Sequence, residues 1–125
     1  MVKFFKCNTC GNFVETIYKT PVPMMCCGQK MEEIVANTVD AAFEKHIPDV
    51  KIDGDTIHVQ VGSVIHPMTE EHYIQWVLVE TEKGIQRKDL KPNEEPVADF
   101  VIKDDKAIAV YAYCNLHGLW KFEIK

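Results

Sequence analysis

A thiol and an imidazole stand three residues apart near the end of the chain, in Tyr113-Cys114-Asn115-Leu116-His117-Gly118-Leu119-Trp120. A Cys-x2-His spacing on a tight turn lets both side chains reach one metal ion, as a soft and a borderline ligand. Three further histidines lie upstream, at His46, His66 and His72. Together these side chains form a candidate set of five metal ligands.

The composition of this set favours one class of metal. A structural zinc site closes with four ligands, whereas non-haem iron accepts five or six and suits a mixed shell of imidazole and thiolate. Five protein ligands would leave one position on a redox metal where a small molecule could bind and receive an electron. A single loop histidine is usually structural or solvated, and His58, which lies within an alternating strand, is assigned no role.

Four more cysteines lie within the first 27 residues, as Cys7-Asn8-Thr9-Cys10-Gly11 and Cys26-Cys27-Gly28. We expect Gly11 to take a positive φ that turns the backbone toward the sulfur atoms. A segment this short needs a metal or a disulfide in order to fold. The alternatives are a zinc ribbon, which adjacent cysteines fit less well, and disulfides, which a reducing compartment disfavours.

The composition is that of a soluble protein without a membrane span. The chain has 125 residues, of which 46% are hydrophobic and 26% charged, and no run approaches the roughly 18 apolar residues of a span. The first residues reach a cysteine pair too soon for a secretion signal, so we expect a cytoplasmic protein. The net charge of −5 argues against nucleic acid as a partner.

Two parts of the chain are expected to position these ligands. Residues 1–36 would form a small metal-bound domain, and residues 37–125 a larger domain that begins with a loop ending at Pro48. Strands are predicted at Thr56–Val61, Tyr73–Glu80, Val97–Ile102, Ala107–Tyr113 and Leu119–Ile124. Short strands at this spacing, separated by turn residues, predict a mainly β protein with an antiparallel β-sandwich.

At this point the residues match a known family, because the chain resembles desulfoferrodoxin, the two-iron form of superoxide reductase. The resemblance runs almost end to end. It is carried by both cysteine pairs and by Glu44-Lys45-His46-Ile47-Pro48, Val61-Gly62-Ser63-Val64-Ile65-His66-Pro67-Met68, His72-Tyr73-Ile74-Gln75-Trp76 and Tyr113-Cys114-Asn115-Leu116-His117-Gly118-Leu119-Trp120-Lys121.

The resemblance implies two iron ions per chain. Cys7, Cys10, Cys26 and Cys27 would hold a rubredoxin-like iron in a desulforedoxin-like domain. The second iron would have His46, His66, His72 and His117 as ligands with Cys114 as the axial one, in an immunoglobulin-like sandwich. The expected reaction is one-electron reduction of superoxide to hydrogen peroxide, in a homodimer supplied by a rubredoxin-like donor.

Two neighbours of His46 have expected roles in that reaction. Lys45 would attract the anionic substrate to the site. Glu44 would occupy the open position of the oxidised iron, as its equivalents in the family do. Backbone groups and Trp76 or Trp120 are expected to support the ligands.

Two other functions stay open from the residues alone. The chain could be a plain electron carrier that uses the four-cysteine iron, with a second metal site that is only structural. It could also be a metal-storage or structural zinc protein. Iron content and visible colour would separate the last of these from the other two.

Overall fold

The computed structural model describes residues 2–38 and 46–124, which form only strands and loops, without a helix. The chain divides into two compact units, Met1–Val35 and Ala36–Lys125. The first unit contains the strands β1 Lys3–Lys6, β2 Phe13–Thr16, β3 Met25–Cys26, β4 Gln29–Lys30 and β5 Glu32–Ile34. The second contains β6 Pro48–Asp53, β7 Thr56–Val61, β8 Ile74–Thr81, β9 Gly84–Asp89, β10 Val97–Val101, β11 Ala107–Cys114 and β12 Gly118–Glu123.

The first unit is built from a small sheet and a short hairpin. Strand β1 pairs antiparallel with β2 on one side and with β5 on the other, while β3 and β4 form a separate two-stranded hairpin. Its core is a small cluster of Phe5, Cys7 and Met31. Because so few apolar side chains are buried, a bound metal would contribute much of the folding free energy.

The second unit is a sandwich of two antiparallel sheets. The three-stranded sheet has the order β10-β7-β6 and the four-stranded sheet the order β12-β11-β8-β9. This seven-strand arrangement confirms the predicted mainly β fold class and is of the immunoglobulin-like kind. The described residues contain no helix that is long and apolar enough to cross a membrane.

The sandwich core lies between the inner faces of the two sheets. Ile57, Val59 and Val61 of β7 are buried, whereas His58 between them is exposed, as the alternation in the sequence predicts. They pack in one cluster with β10 and with the inward side chains of β8 and β11. Cys114 belongs to this cluster, so one candidate metal ligand is packed within the hydrophobic core.

Two strands of the sandwich were not among those predicted. Strand β9, Gly84–Asp89, is exposed along its whole length and carries charged side chains, as suits an unpaired sheet edge. Strand β6 begins at Pro48, where the sequence predicts the end of a loop. Proline is accepted at the first position of an edge strand because its missing N–H costs no ladder hydrogen bond.

Candidate metal centres

Strand register brings the five candidate ligands of the second unit to one end of the sandwich. Pro48 at the start of β6 pairs with Val61 at the end of β7. Cys114 at the end of β11 pairs with Ile74 at the start of β8 and with Gly118 at the start of β12. His46 precedes β6, His66 and His72 lie between β7 and β8, and His117 lies between β11 and β12. Ligands from three chain segments therefore meet at this end.

Cys114 and His117 are positioned by a tight β-hairpin. The pairing of Cys114 with Gly118 leaves a three-residue loop, and Gly118 has a φ of 85°. Gly118 is the first residue after this loop, and glycine takes a positive φ there with least strain. The register of β11 against β8 also shifts between Tyr113 and Cys114. A β-bulge of this kind changes the direction of a side chain and is common next to active sites.

The loop between β7 and β8 is fixed by its own hydrogen bonds. The His66 amide donates to the Val61 carbonyl at 3.0 Å. Thr69 and His72 exchange backbone hydrogen bonds of 2.9 and 3.2 Å, and the Thr69 hydroxyl adds a contact to the His72 carbonyl at 3.2 Å. These bonds set the backbone at both histidines.

The four histidine rings form a closed circuit. Ring centroids are 4.6 Å apart for His46 and His66, 4.7 Å for His66 and His72, 5.0 Å for His72 and His117, and 5.1 Å for His117 and His46. The planes of neighbouring rings are inclined by 60° to 87°. Rings arranged edge to face in this way can direct one nitrogen each toward a common centre.

The nitrogen positions fit a shared metal ion. His46 Nε2 and His117 Nδ1 are 3.2 Å apart, and two nitrogen ligands about 2.1 Å from one metal at right angles are about 3.0 Å apart. One ligand atom each from His46, His72, Cys114 and His117 lies within 4.8 Å of all the others. His66 is outside that group of four, although its ring closes the circuit.

A backbone carbonyl fixes the orientation of His66. Its Nδ1 lies 2.7 Å from the Pro67 carbonyl oxygen, so Nδ1 carries the proton and donates it. The proton-free Nε2 is buried. Histidine ligands to metals have this arrangement, in which the outer nitrogen donates to a carbonyl and the inner one coordinates.

Burial is uneven around the site. The exposed fractions of His46, His66 and Cys114 are 1%, 2% and 0%, whereas His117 is exposed. The centre is therefore closed on the side of the thiol, and it is open to solvent at His117.

The four cysteines of the first unit also form a compact group, with their sulfur atoms within 4.8 Å of one another. Cys26 Sγ is 3.6 Å from Cys10 Sγ and 4.0 Å from Cys27 Sγ. Four sulfurs about 2.3 Å from a tetrahedral metal would be about 3.8 Å apart, which these distances match. All five cysteines of the chain are free, so the disulfide alternative is wrong.

Two turns aim these sulfurs. Gly11, with a φ of 84°, follows the first pair and confirms the predicted positive φ. Between β3 and β4 the connection consists of Cys27 and Gly28, with φ of 53° and 72°. Positive φ at both positions is typical of a type I′ hairpin turn, so the adjacent cysteines place two sulfurs at one tight turn.

The pKa values of two of these thiols are shifted in opposite directions. The pKa of Cys7 is lowered to about 6, chiefly because the Cys10 amide donates a hydrogen bond to its sulfur. The pKa of Cys27 is raised to about 12, chiefly by its hydrogen bond with Cys10 and by the other crowded thiols. A metal ion would displace the protons that these thiols retain, and its affinity would fall with decreasing pH.

Several predicted and unpredicted residues remain to be placed. Glu44 and Lys45 lie outside the described residues. His58, which was assigned no role, pairs with Asp99 at 2.8 Å on an exposed sheet face.

Asn115 was not predicted, yet its side chain forms hydrogen bonds with the backbone on both sides of His72. Its only signal in the sequence is its position between two candidate ligands.

Both units match models of one protein family. Residues 38–123 match the model described as "Desulfoferrodoxin", and residues 1–34 match "Desulfoferrodoxin, N-terminal domain". The chain is 42% identical over 121 residues to a desulfoferrodoxin homolog from Archaeoglobus fulgidus, covering 97% of this chain and 96% of the relative.

Superoxide reductases are among the similar proteins. A superoxide reductase from Pyrococcus horikoshii is 34% identical over 102 residues, covering 66% of this chain and 87% of the relative. The crystal structure of the superoxide reductase from Treponema pallidum superposes with a TM-score of 0.84 at 37% identity, covering 98% of each chain. Matches of this extent, together with the two ligand groups, show that the chain belongs to the desulfoferrodoxin family.

Proposed function

We propose that the chain is a superoxide reductase that converts superoxide to hydrogen peroxide without releasing dioxygen. The reaction consumes one superoxide, one electron and two protons for each hydrogen peroxide formed. The observation that carries the proposal is the closed circuit of four imidazoles next to the buried thiol of Cys114. Superoxide reductases among the similar structures support it.

Five residues would hold the catalytic iron: His46, His66, His72, Cys114 and His117. Iron bound there would supply the electron by cycling between its ferrous and ferric states. The fixed tautomer of His66 and the buried sulfur of Cys114 keep these donors in place when charge changes at the site. The exposed edge at His117 leaves a side on which a small anion can approach.

The second iron would be held by Cys7, Cys10, Cys26 and Cys27. Two of these ligands, Cys10 and Cys27, are exposed, which suits exchange of electrons with another protein. We assign this centre to electron storage or entry, in an N-terminal domain of residues 1–36 that precedes a catalytic domain of residues 37–125 in the sequence. The unit boundary at Val35 and Ala36 supports this division.

Lys45 and Glu44 complete the proposal. Lys45 precedes the ligand His46, so its ammonium group would attract superoxide to a chain whose net charge is −5. Glu44 would bind at the open side of the oxidised centre after the product leaves. Both roles come from the family resemblance and from the positions of these residues in the sequence.

The family resemblance also suggests the setting in which the protein acts. A rubredoxin-like protein would supply the electron, the chain would form a homodimer, and the reaction would remove superoxide as a detoxification step. Five free cysteines suit a reducing, cytoplasmic compartment. Sedimentation of the purified protein and reduction by added rubredoxin test the first two of these statements.

The proposal is tested by measuring iron content, visible spectra and superoxide consumption together. We expect two irons per chain, and we expect Cys114→Ser and His117→Ala to abolish superoxide consumption while the four-cysteine iron is retained. An electron carrier with a structural second site would keep its function in both variants. Wild-type protein that carries both irons and does not consume superoxide would refute the proposal.

A further inference from the structure

The hairpin that supplies Cys114 and His117 also contacts the segments that carry two of the other ligands. Asn115 lies in its loop and makes three hydrogen bonds to the backbone around His72. The Tyr73 amide donates to Asn115 Oδ1 at 3.0 Å, Asn115 Nδ2 donates to the Glu71 carbonyl at 2.9 Å, and the Asn115 amide donates to the Tyr73 carbonyl at 3.2 Å. Asn115 therefore holds the residues on both sides of His72.

Trp120, in the second strand of the hairpin, contacts two ligands. Its indole stacks on the His46 ring, with centroids 4.5 Å apart and planes inclined by 13°. Its Nε1–H donates to the His117 carbonyl at 3.1 Å. The indole is 7% exposed, so both contacts are made in a nearly dry environment where they are stronger than in water.

The backbone on either side of Trp120 is fixed as well. The Asn37 amide donates to the Leu119 carbonyl at 2.8 Å, and the Lys121 amide donates to the Asn37 carbonyl at 3.0 Å. Asn37 thus forms a bridge with β12 at Trp120. The backbone that carries the indole is consequently held by β11 on one side and by Asn37 on the other, so the indole stacks on the His46 ring from a fixed position.

We propose that Asn115 and Trp120 are positioning residues, through which one hairpin orients His72 and His46 as well as its own two ligands. The arrangement explains how ligands from distant parts of the sequence reach one centre with fixed directions. Residues that hold metal ligands in this way typically change metal affinity or activity by about 10- to 100-fold when they are replaced. The inference deepens the proposed function and rests on it for the identity of the metal as iron.

The test uses the full-length protein loaded with ferrous iron and four variants: Asn115→Ala, Asn115→Asp, Trp120→Leu and Trp120→Phe. Asn115→Asp keeps the acceptor for the Tyr73 amide and loses the donor to Glu71. Trp120→Phe keeps an aromatic face for His46 and loses the hydrogen bond to His117. The milder substitutions remain informative where the more drastic ones disturb folding.

Two control variants match them. Gln86→Ala removes a side-chain amide that donates to the Val101 carbonyl at 3.0 Å on an exposed strand. Phe122→Leu removes an aromatic ring of the same strand as Trp120, β12, that is 40% exposed. The four-cysteine iron provides a further control within every sample, because its ligands belong to the other unit.

We expect Asn115→Ala and Trp120→Leu to release the histidine-bound iron to a chelator about 10- to 100-fold more readily. In iron-replete samples they also shift the reduction potential and the thiolate-to-iron absorption band. Asn115→Asp and Trp120→Phe give intermediate changes, and the controls and the four-cysteine iron do not change. If all four variants equal the controls in iron retention, potential and band energy, the inference is wrong. Inactivity of the iron-replete wild-type protein would instead refute the proposed function and leave these comparisons valid.

Discussion

Gly118 offers a direct test of how the hairpin geometry supports the metal site. Its φ of 85° lies in the left-handed region, and a Cβ added there would meet nothing within 4 Å. The substitution Gly118→Ala therefore costs conformational energy alone, about 1–2 kcal/mol for a side chain held at positive φ. A loss of 1 kcal/mol lowers the Tm of a domain of this size by about 4–8 °C, so we expect a decrease of about 4–16 °C.

The matched control is Gly54→Ala, in the turn between β6 and β7. Gly54 has a φ of 59° and also has open space around it, but it lies at the other end of β7 from Val61 and the ligands. Both variants should lose stability to a similar degree in metal-free protein. Only Gly118→Ala should lose more in the iron-loaded protein, because relaxation of its backbone displaces the neighbouring His117.

Thermal unfolding followed by circular dichroism, with and without iron, measures both effects. We expect the two variants to have nearly the same Tm without iron, and Gly118→Ala to have the lower Tm of the two with iron. Equal losses in both states would show that the turn does not position His117. An unchanged Tm for Gly118→Ala would show that the positive φ is not required.

Three further predictions concern other parts of the molecule. Cys26→Ser or Cys27→Ser should remove the four-cysteine iron and leave superoxide turnover intact in an assay with a chemical reductant. The reason is that the second unit has its own ligands and core. Loss of turnover would show that the second centre depends on the first. Lys45→Ala should lower the rate of superoxide decay and flatten its dependence on salt, since screening acts on the attraction that this ammonium supplies; an unchanged salt dependence would exclude steering. The pKa of Asp105 is lowered, chiefly by the hydrogen bond that the Thr81 hydroxyl donates at 2.5 Å. The stabilisation that ionised Asp105 supplies is complete above the pKa of an aspartate in the unfolded state, about 3.9, and is lost as the pH falls through the pKa in the folded state. The free energy of unfolding in urea should therefore depend less on pH in this acidic range for Asp105→Asn than for the wild-type protein.

The strands that the sequence predicts best are those with one buried face. In β7 the alternation of Ile57, Val59 and Val61 with polar residues gave the same bounds, Thr56–Val61, as the structure. Strand β9 has no such pattern because every one of its residues is exposed, and its pairing with β8 depends on the neighbouring strand. Propensity and periodicity report burial, so an exposed edge strand leaves no comparable pattern.

The candidate sites were visible in the sequence for a different reason. Cysteine and histidine are scarce, and their spacing in Cys114-x2-His117 and Cys7-x2-Cys10 is dictated by the turns that carry them. The contacts that orient the ligands were not visible, because Asn115 reaches Tyr73 across 42 residues of sequence. Such a bond depends on the register between β8 and β11, which one sequence alone does not fix.

The burial of Cys114 affects how well the enzyme resists oxidation by its own product. Hydrogen peroxide oxidises the thiolates that it can reach, in steps that end irreversibly. Cys114 is fully buried, whereas His117 is exposed, so we expect the product to leave the centre on the side of His117. The exposed cysteines are Cys10 and Cys27. Oxidation by the accumulating product should therefore begin at these two ligands, in the first unit.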